Sequence, residues 1–283
     1  MAIMKSILVG LWMISCFVAA EKGVYVPAMF VFGDSLGDAG TNNYIPHCKA
    51  RANFIPYGVS FFPYPTGRFT NGRTTFDFLA AYMGLPFSPP YLEPKANFSR
   101  GINFASGGSG LLDSTAADER LYRAGARKFL LVGIPPIGCC PSWRLINKGE
   151  CLETANQLFV AYNTAMKSHL AHLNQKLSGL TIIQFQSYDY LLNIIQNGEA
   201  YGFKDTKSAC CGSGLYNAQV HCGKTTPKDL FCNDSSAYMF WDGAHPTEKV
   251  YAMFSQEIWS GNSSVMYPLN LSTLVPGKKA SSY

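Results

Sequence analysis

The chain has 283 residues, of which 47% are hydrophobic and 14% are charged. This composition is too apolar for a disordered protein, and 26 glycines with 16 prolines are too many for a helix bundle. The formal net charge of +5 is spread along the chain without a block of like charge, which argues against a nucleic-acid partner. The length fits one large α/β domain or two small ones.

Residues 1–20 have the pattern of a secretory signal peptide. Lys5 precedes an apolar stretch at 7–20 that carries no charge, and Val18-Ala19-Ala20 offer small side chains at a cleavage point. The stretch has 14 residues, whereas a membrane span needs about 20. The sequence therefore predicts a secreted, soluble protein without a transmembrane segment, whose single domain spans residues 21–283.

The cysteines and glycosylation sequons agree with export. Eight cysteines follow the signal, and an even number in an oxidising compartment favours disulfides, although eight cysteines allow 105 pairings. A metal site within residues 210–232 is the less favoured alternative, because no Cys-x-x-Cys pair occurs there. Four sequons begin at Asn97, Asn233, Asn262 and Asn270.

Hydrophobic periodicity and turn residues predict strands that alternate with helices. After a first strand at 28–32, a segment rich in Pro, Gly and aromatic residues at 42–94 predicts long loops around one short helix at 74–83, closed by Gly84. Further strands are predicted at 102–105, 128–132 and 181–185, and further helices at 152–177, 188–196 and 246–259, the last with Pro246 near its first turn. Such alternation indicates a mostly parallel sheet covered on both faces.

Two distant motifs supply the chemistry of a serine nucleophile. Ser35 directly follows the first strand, on a predicted strand-to-helix turn that would expose its hydroxyl and direct amide groups towards a developing oxyanion. A serine hydroxyl needs a base to take its proton, and His245 is the candidate. Asp242 lies three residues before His245, close enough to accept from the imidazole and to hold its tautomer.

Other interpretations of this region compete with the Ser-His-Asp arrangement. Gly33-x-Ser35-x-Gly37 also matches the nucleophile elbow of α/β-hydrolases, but too little chain precedes Ser35 for the earlier strand and loop of that fold. Asp34 and Asp38 are interpreted as turn-stabilising carboxylates rather than as a catalytic pair. Nearby aromatic residues either line a substrate cleft or pack the loops, and both interpretations stay open: Phe54, Tyr57, Phe61, Phe62, Tyr64 and Phe69.

Five blocks together carry a family resemblance. They lie at 30–43, 66–73, 101–110, 125–129 and 241–247, with Gly33-Asp34-Ser35-Leu36 in the first and Asp242-Gly243-Ala244-His245-Pro246 in the last. In these blocks and their order, the chain resembles the plant GDSL esterase/lipase family of SGNH hydrolases over nearly all its mature length. The resemblance implies a flavodoxin-like three-layer α/β sandwich, hydrolysis of ester bonds without metal or organic cofactor, and secretion to the cell wall or apoplast. It implies Ser35 as nucleophile, Asp242 and His245 as its triad partners, and the amides of Ser35 and Gly107 as oxyanion donors.

One block of that family is missing from the sequence. The family carries a Gly-x-Asn-Asp motif between the glycine-rich block and the strand at 128–132, and its Asn is a further oxyanion donor. Here residues 111–124 join the two, and these 14 residues contain no Asn. Two helices and a strand of ordinary size need about 25 residues or more, so the segment cannot be hidden there. We expect a sheet that lacks a central strand and leaves its neighbours without a backbone partner.

The sequence thus favours a secreted serine hydrolase that acts on small-molecule or lipid esters of carboxylic acids. Two alternatives remain at this point. The shortened chain is a catalytically impaired or silent isoform that keeps only the scaffold, as the missing block suggests. Otherwise it is an acyltransferase that passes the same acyl group from Ser35 to an alcohol or sugar instead of water.

Overall fold

The computed structural model describes residues 26–109, 121–223 and 231–275. The predicted signal peptide and most of the shortened segment at 111–124 lie outside the described residues. The strands and helices, in chain order, are β1 (Met29–Val31), α1 (Thr75–Met83), β2 (Gly101–Asn103), β3 (Lys128–Val132), α2 (Pro141–Ile146), α3 (Glu153–Lys176), β4 (Thr181–Phe185), α4 (Ser187–Gln196), β5 (Asp205–Ala209), β6 (Tyr238–Phe240), α5 (Glu248–Ser260) and β7 (Met266–Tyr267). Among these helices, none combines the length and apolar character that crossing a bilayer requires.

Most predicted elements are present within two residues of their expected bounds. The capping signals explain α1, which follows Thr74 in a capping box with Asp77 and ends at Gly84 in the left-handed conformation, at a φ of 69°. The last helix was predicted to begin at Pro246, but α5 begins at Glu248, after the N-cap Thr247. Pro246 instead forms a β-bridge with Phe240, which closes the loop between them.

The helices and strands form three layers around β4. Ile183 and Phe185 of β4 lie in the main hydrophobic core, which α1, α4 and α5 cover. Ile182 points to the opposite face and packs against Leu170 and Leu173 of α3. Successive strand residues face opposite sides of a sheet, so β4 is covered by helices on both faces. This mixed α/β architecture confirms the predicted fold class.

The sheet itself is divided into three pieces. β1 pairs with β2 in parallel, β3 pairs with β4 in parallel while β7 adds to β4 in antiparallel orientation, and β5 pairs with β6 in parallel. Both β1 and β3 contact the same core, through Met29 and Leu130. Nevertheless no ladder joins β1 to β3 within the described ranges, and the described residues between β2 and β3 contain no further strand.

Among the described residues, β1 and β3 therefore each have one edge without a paired strand. The backbone hydrogen bonds described for Met29, Val31 and Gly33 run to residues beside β2. In a parallel ladder successive residues alternate, so the backbone groups of Phe30 and Phe32 point the other way. Their side chains are 57% and 54% exposed. These residues have the apolar character of a strand buried on both faces, yet they lie at the surface.

Candidate active site

A network of short hydrogen bonds fixes the turn that carries Ser35. Directly after β1, the carbonyl of Asp34 accepts from the amides of Gly37 and Asp38, and its Oδ1 accepts from the amide of Leu36 at 2.9 Å. Asp38 is fully buried, and its Oδ1 accepts from the amides of Gly40 and Thr41, both at 2.7 Å. The interpretation of Asp34 and Asp38 as turn-stabilising carboxylates is confirmed.

The sequence predicts that this turn leads into an α-helix, but the structure shows none directly after it. The turn continues into a short 3-10 helix, Thr41–Tyr44. Asn103 of β2 holds the turn from the side, because its Nδ2 donates to the carbonyl of Gly37 at 2.7 Å. Among the described residues, no hydrogen-bond acceptor is found for the Ser35 amide.

Asp242 and His245 lie on one closed loop after β6. The amide of Trp241 donates to the carbonyl of His245 at 2.7 Å, and this bond fastens the two ends of the loop. Inside it, Asp242 Oδ1 accepts from the amides of Ala244 at 2.9 Å and His245 at 2.8 Å. The loop is held from outside by Thr70, whose hydroxyl donates to the carbonyl of Pro246 at 3.0 Å.

The structure brings Ser35, His245 and Asp242 into one chain of hydrogen bonds. Ser35 Oγ lies 2.8 Å from His245 Nε2, although the two residues are 210 positions apart. His245 Nδ1 lies 2.8 Å from Oδ1 and 2.9 Å from Oδ2 of Asp242. With the Nδ1 proton directed at a carboxylate, Nε2 is left as the acceptor that a nucleophilic serine needs.

The electrostatics of the pair keep Asp242 ionised beside His245. Burial of the imidazole opposes its protonation, but the negative charge and hydrogen bond of Asp242, together with the charge of Asp34, raise the pKa of His245 above its usual value. Burial of Asp242 works against its ionised form. The charge and hydrogen bond of His245, the amide of Ala244 and the hydroxyl of Tyr57 outweigh burial, so the pKa of Asp242 is lowered. A neutral His245 next to an ionised Asp242 is the state that can accept a proton from Ser35.

Gly107, the second expected oxyanion donor, is engaged elsewhere. Its amide donates to Asp38 Oδ2 at 2.8 Å, and its carbonyl accepts from Asn42 Nδ2 at 2.8 Å. Burial raises the pKa of Asp38 while the amides of Gly107, Gly40 and Thr41 lower it. Because one carboxylate oxygen already occupies the Gly107 N–H, that donor is not free for a substrate oxygen in this structure.

Comparison with known proteins identifies the chain at this point. A family model described as GDSL-like Lipase/Acylhydrolase matches residues 29–123 and 114–258, which includes the Ser35 turn and the loop with Asp242 and His245. The chain belongs to the GDSL lipase/acylhydrolase family. This membership supports both the α/β fold and a hydrolase that acts on carboxylic esters.

Plant relatives in the GDSL family cover nearly the whole chain. A "GDSL lipase" of Tanacetum cinerariifolium is 32% identical over 328 aligned positions, covering 90% of each chain. "GDSL esterase/lipase 6" of Arabidopsis thaliana is 31% identical over 348 positions, covering 95% of this chain and 96% of the relative. "GDSL esterase/lipase 7" of the same plant is 31% identical over 335 positions, covering 87% and 91%.

A hydrophobic cluster of aromatic residues and disulfides packs against the GDSL site at His245. Phe69 lies with its ring centroid 5.0 Å from that of His245, and Trp241 is fully buried below the loop. The cluster contains two disulfides, Cys210–Cys232 and Cys211–Cys222, and a third, Cys139–Cys151, lies before α3. A separate group of potential metal ligands among the described residues consists of Cys139, Cys151 and Glu153. Its two sulfurs are bonded to each other in the disulfide.

Sequence reasoning missed the partner of Asp242 that lies in the distant loop. Tyr57 donates its hydroxyl to Asp242 Oδ2 at 2.7 Å from 185 positions away. The sequence alone identified Tyr57 only as one of several aromatic residues that either line a substrate cleft or pack the loops. Tyr57 and Phe69 are buried in the cluster, whereas Tyr64 is 69% exposed. No local pattern could have paired Tyr57 with Asp242, because only the fold brings them together.

Proposed function

We propose that the protein is a secreted serine hydrolase that cleaves carboxylic esters with Ser35 as nucleophile. The observation that carries the proposal is the unbroken hydrogen-bond chain from Ser35 Oγ through the His245 imidazole to the Asp242 carboxylate, with contacts of 2.8 to 2.9 Å. Family membership supports ester hydrolysis in general, and this chain of contacts supports the particular residues.

In the proposed mechanism, Ser35 Oγ attacks the ester carbonyl while its proton passes to His245 Nε2. The imidazolium formed is stabilised by Asp242, and it then protonates the leaving alcohol. Water repeats the sequence on the acyl-enzyme and releases the acid. The amide of Ser35 serves as one oxyanion donor. The amide of Gly107 becomes a second donor when the oxyanion replaces Asp38 Oδ2 as its acceptor.

Features away from the site support export of the protein. Six cysteines form three disulfides, which persist in oxidising compartments. The sequon residues Asn97, Asn233 and Asn262 are exposed to solvent. Asn270 differs from them, because its Nδ2 donates to the carbonyl of Gly261 at 3.0 Å.

We further propose that the chain is an internally shortened form with reduced activity. The alignments to plant relatives extend over 328 and 348 positions, more than the 283 residues of this chain, so the relatives contain stretches with no counterpart here. Among the described residues no ladder joins β1 to β3, which agrees with the loss of the strand expected between them. Loss of one oxyanion donor typically lowers the rate by about 10²–10³, which leaves a slow esterase rather than none.

Fluorophosphonate labelling of the secreted, purified chain tests the proposal. We expect covalent labelling and slow hydrolysis of p-nitrophenyl esters, both abolished in Ser35→Ala. A matched control is Ser168→Ala, which removes an exposed hydroxyl on α3 and should change neither. Full esterase activity in Ser35→Ala would refute the proposed nucleophile.

The same preparations distinguish the alternatives. A monodisperse wild-type protein that does not label would identify a silent scaffold. Formation of new esters when alcohol acceptors are added, in place of free acid, would identify an acyltransferase.

A further inference from the structure

Tyr57 occupies a fixed position below the catalytic loop. Its side chain lies edge-on to Phe54, Phe69 and Trp241, with ring centroids 5.2, 6.4 and 6.2 Å away. The residue is 7% exposed. The next amide in the chain, that of Gly58, donates to the carbonyl of Thr70 at 2.9 Å. These contacts leave the phenol ring little freedom, so the direction of its hydroxyl is set by packing.

The hydroxyl completes the set of donors around Asp242. Oδ1 accepts from the amides of Ala244 and His245, which belong to the loop itself. Oδ2 accepts from Tyr57 at 2.7 Å, and the imidazole Nδ1 lies within 2.9 Å of both oxygens. Apart from the imidazole, Tyr57 is therefore the donor described for Oδ2, and it comes from a different part of the chain.

The Tyr57 hydroxyl keeps its proton at ordinary pH. Its burial, the negative charge of Asp242 and the hydrogen bond to that carboxylate all raise the pKa of Tyr57 far above the usual tyrosine value. A hydroxyl that keeps its proton always presents a positive hydrogen to Oδ2. Hydrogen bonds to an ionised acceptor are shorter and stronger than bonds between neutral groups.

We propose that Tyr57 is a positioning residue for catalysis, which holds the Asp242 carboxylate in plane with the His245 imidazole. The inference rests on the proposed function, because it gives Tyr57 a role in the same proton-transfer chain. Tyr57 does not touch the reacting atoms. It acts through Asp242, and thereby fixes the imidazole that receives the proton of Ser35.

The consequence of removing the hydroxyl has a definite sign. In Tyr57→Phe, Oδ2 keeps only its imidazole partner, and the carboxylate turns more freely. We expect kcat to fall by about ten- to a hundredfold, the range for loss of a hydrogen bond to a charged group. KM should stay unchanged, because the hydroxyl lies against Asp242 and not against substrate. Without the hydrogen bond from Tyr57, the negative charge of Asp242 stabilises the His245 imidazolium more strongly. The pKa of His245 therefore rises, and the acid limb of the pH profile moves to higher pH.

Tyr251→Phe is the matched control. Tyr251 is also a buried tyrosine near the site, on α5, but its hydroxyl has no hydrogen-bond partner within the described parts of the chain. Removing this hydroxyl should leave kcat and the pH profile unchanged. The downfield proton resonance of His245 Nδ1–H gives a readout that does not need turnover, and we expect it to shift in Tyr57→Phe and not in Tyr251→Phe.

The outcomes separate this inference from the proposed function. If Ser35→Ala abolishes labelling while Tyr57→Phe keeps the wild-type kcat, acid limb and Nδ1–H resonance, the role of Tyr57 is refuted and the nucleophile stands. A lower thermal midpoint in Tyr57→Phe with an unmoved acid limb and resonance would make Tyr57 a packing residue only. Full activity of Ser35→Ala would refute the proposed function, and the resonance would still report whether Tyr57 orients the Asp242–His245 pair.

Discussion

Replacement of Asp242 by Asn tests the tautomer on which the proposed mechanism depends. The amide oxygen of the introduced side chain could still accept from the amides of Ala244 and His245, so the loop should keep its shape. Its NH₂ group would then lie where Oδ2 now accepts from Tyr57 and approaches His245 Nδ1. An NH₂ group at that place donates, and it favours the tautomer that presents a bare Nδ1 to it. The ring proton moves to Nε2, which faces Ser35 and can no longer accept.

The expected loss follows from that exchange. A serine hydrolase with the wrong histidine tautomer but intact geometry loses about 10⁴ in kcat, so we expect Asp242→Asn to reduce kcat by roughly that factor. The assay is p-nitrophenyl ester hydrolysis near neutral pH, with thermal unfolding to verify the fold. Asp205→Asn is the control, because Asp205 also accepts two backbone amides but lies at the start of β5. A folded Asp242→Asn protein that loses less than about tenfold in kcat would refute the reasoning.

Two further predictions concern pH and the disulfides. Protonated His245 cannot accept the Ser35 proton, so activity should fall as the pH falls through its pKa. The charges of Asp242 and Asp34 raise that pKa, and we expect the acid midpoint of kcat/KM above pH 6.5; a midpoint below this value would contradict the assignment. Removing the Cys211–Cys222 disulfide, which closes a loop with a sequence separation of 11, should lower the free energy of unfolding by about 3 kcal/mol in denaturant titrations. A change under about 1 kcal/mol would mean that this bond does not secure the cluster below the triad.

The sequence could predict those parts of the fold whose signals are local. α1 carries its own start and stop residues, Thr74 and Gly84, and β3 was located without error from its apolar run. β5 escaped prediction because Asp205–Ala209 is a mostly polar strand without clear alternation. The apolar spacing along α3 was correct as a helix signal, yet Leu158 is 70% exposed. Periodicity shows which face of a helix is apolar, but whether anything covers that face depends on the rest of the chain.

The candidate site shows the same division between local and long-range signals. Ser35, Asp242 and His245 could be singled out because each stands in a short motif with chemical meaning. The sequence identified the amide of Gly107 as a candidate oxyanion donor. It could not show that this amide donates to Asp38, because a contact between residues 69 positions apart has no local signature. The bond from Tyr57 to Asp242 is of the same kind. Motifs therefore supply the reacting groups, and only the fold supplies the groups that orient them.

The divided sheet has a consequence for how the protein would lose activity on heating. Ser35 follows β1, whereas His245 follows β6, and no ladder links these two strands in the described part of the chain. Hydrogen bonds join the chain that follows β1 to the chain that follows β6. The Thr70 hydroxyl donates to the carbonyl of Pro246, and the amide of Glu248 donates to the Asn71 side chain. Regions joined without a shared ladder can open as separate cooperative units, at a lower free energy than global unfolding. A small separation of the units would break the contact between Oγ and Nε2 while the helices stay folded, so inactivation would precede the loss of the circular dichroism signal.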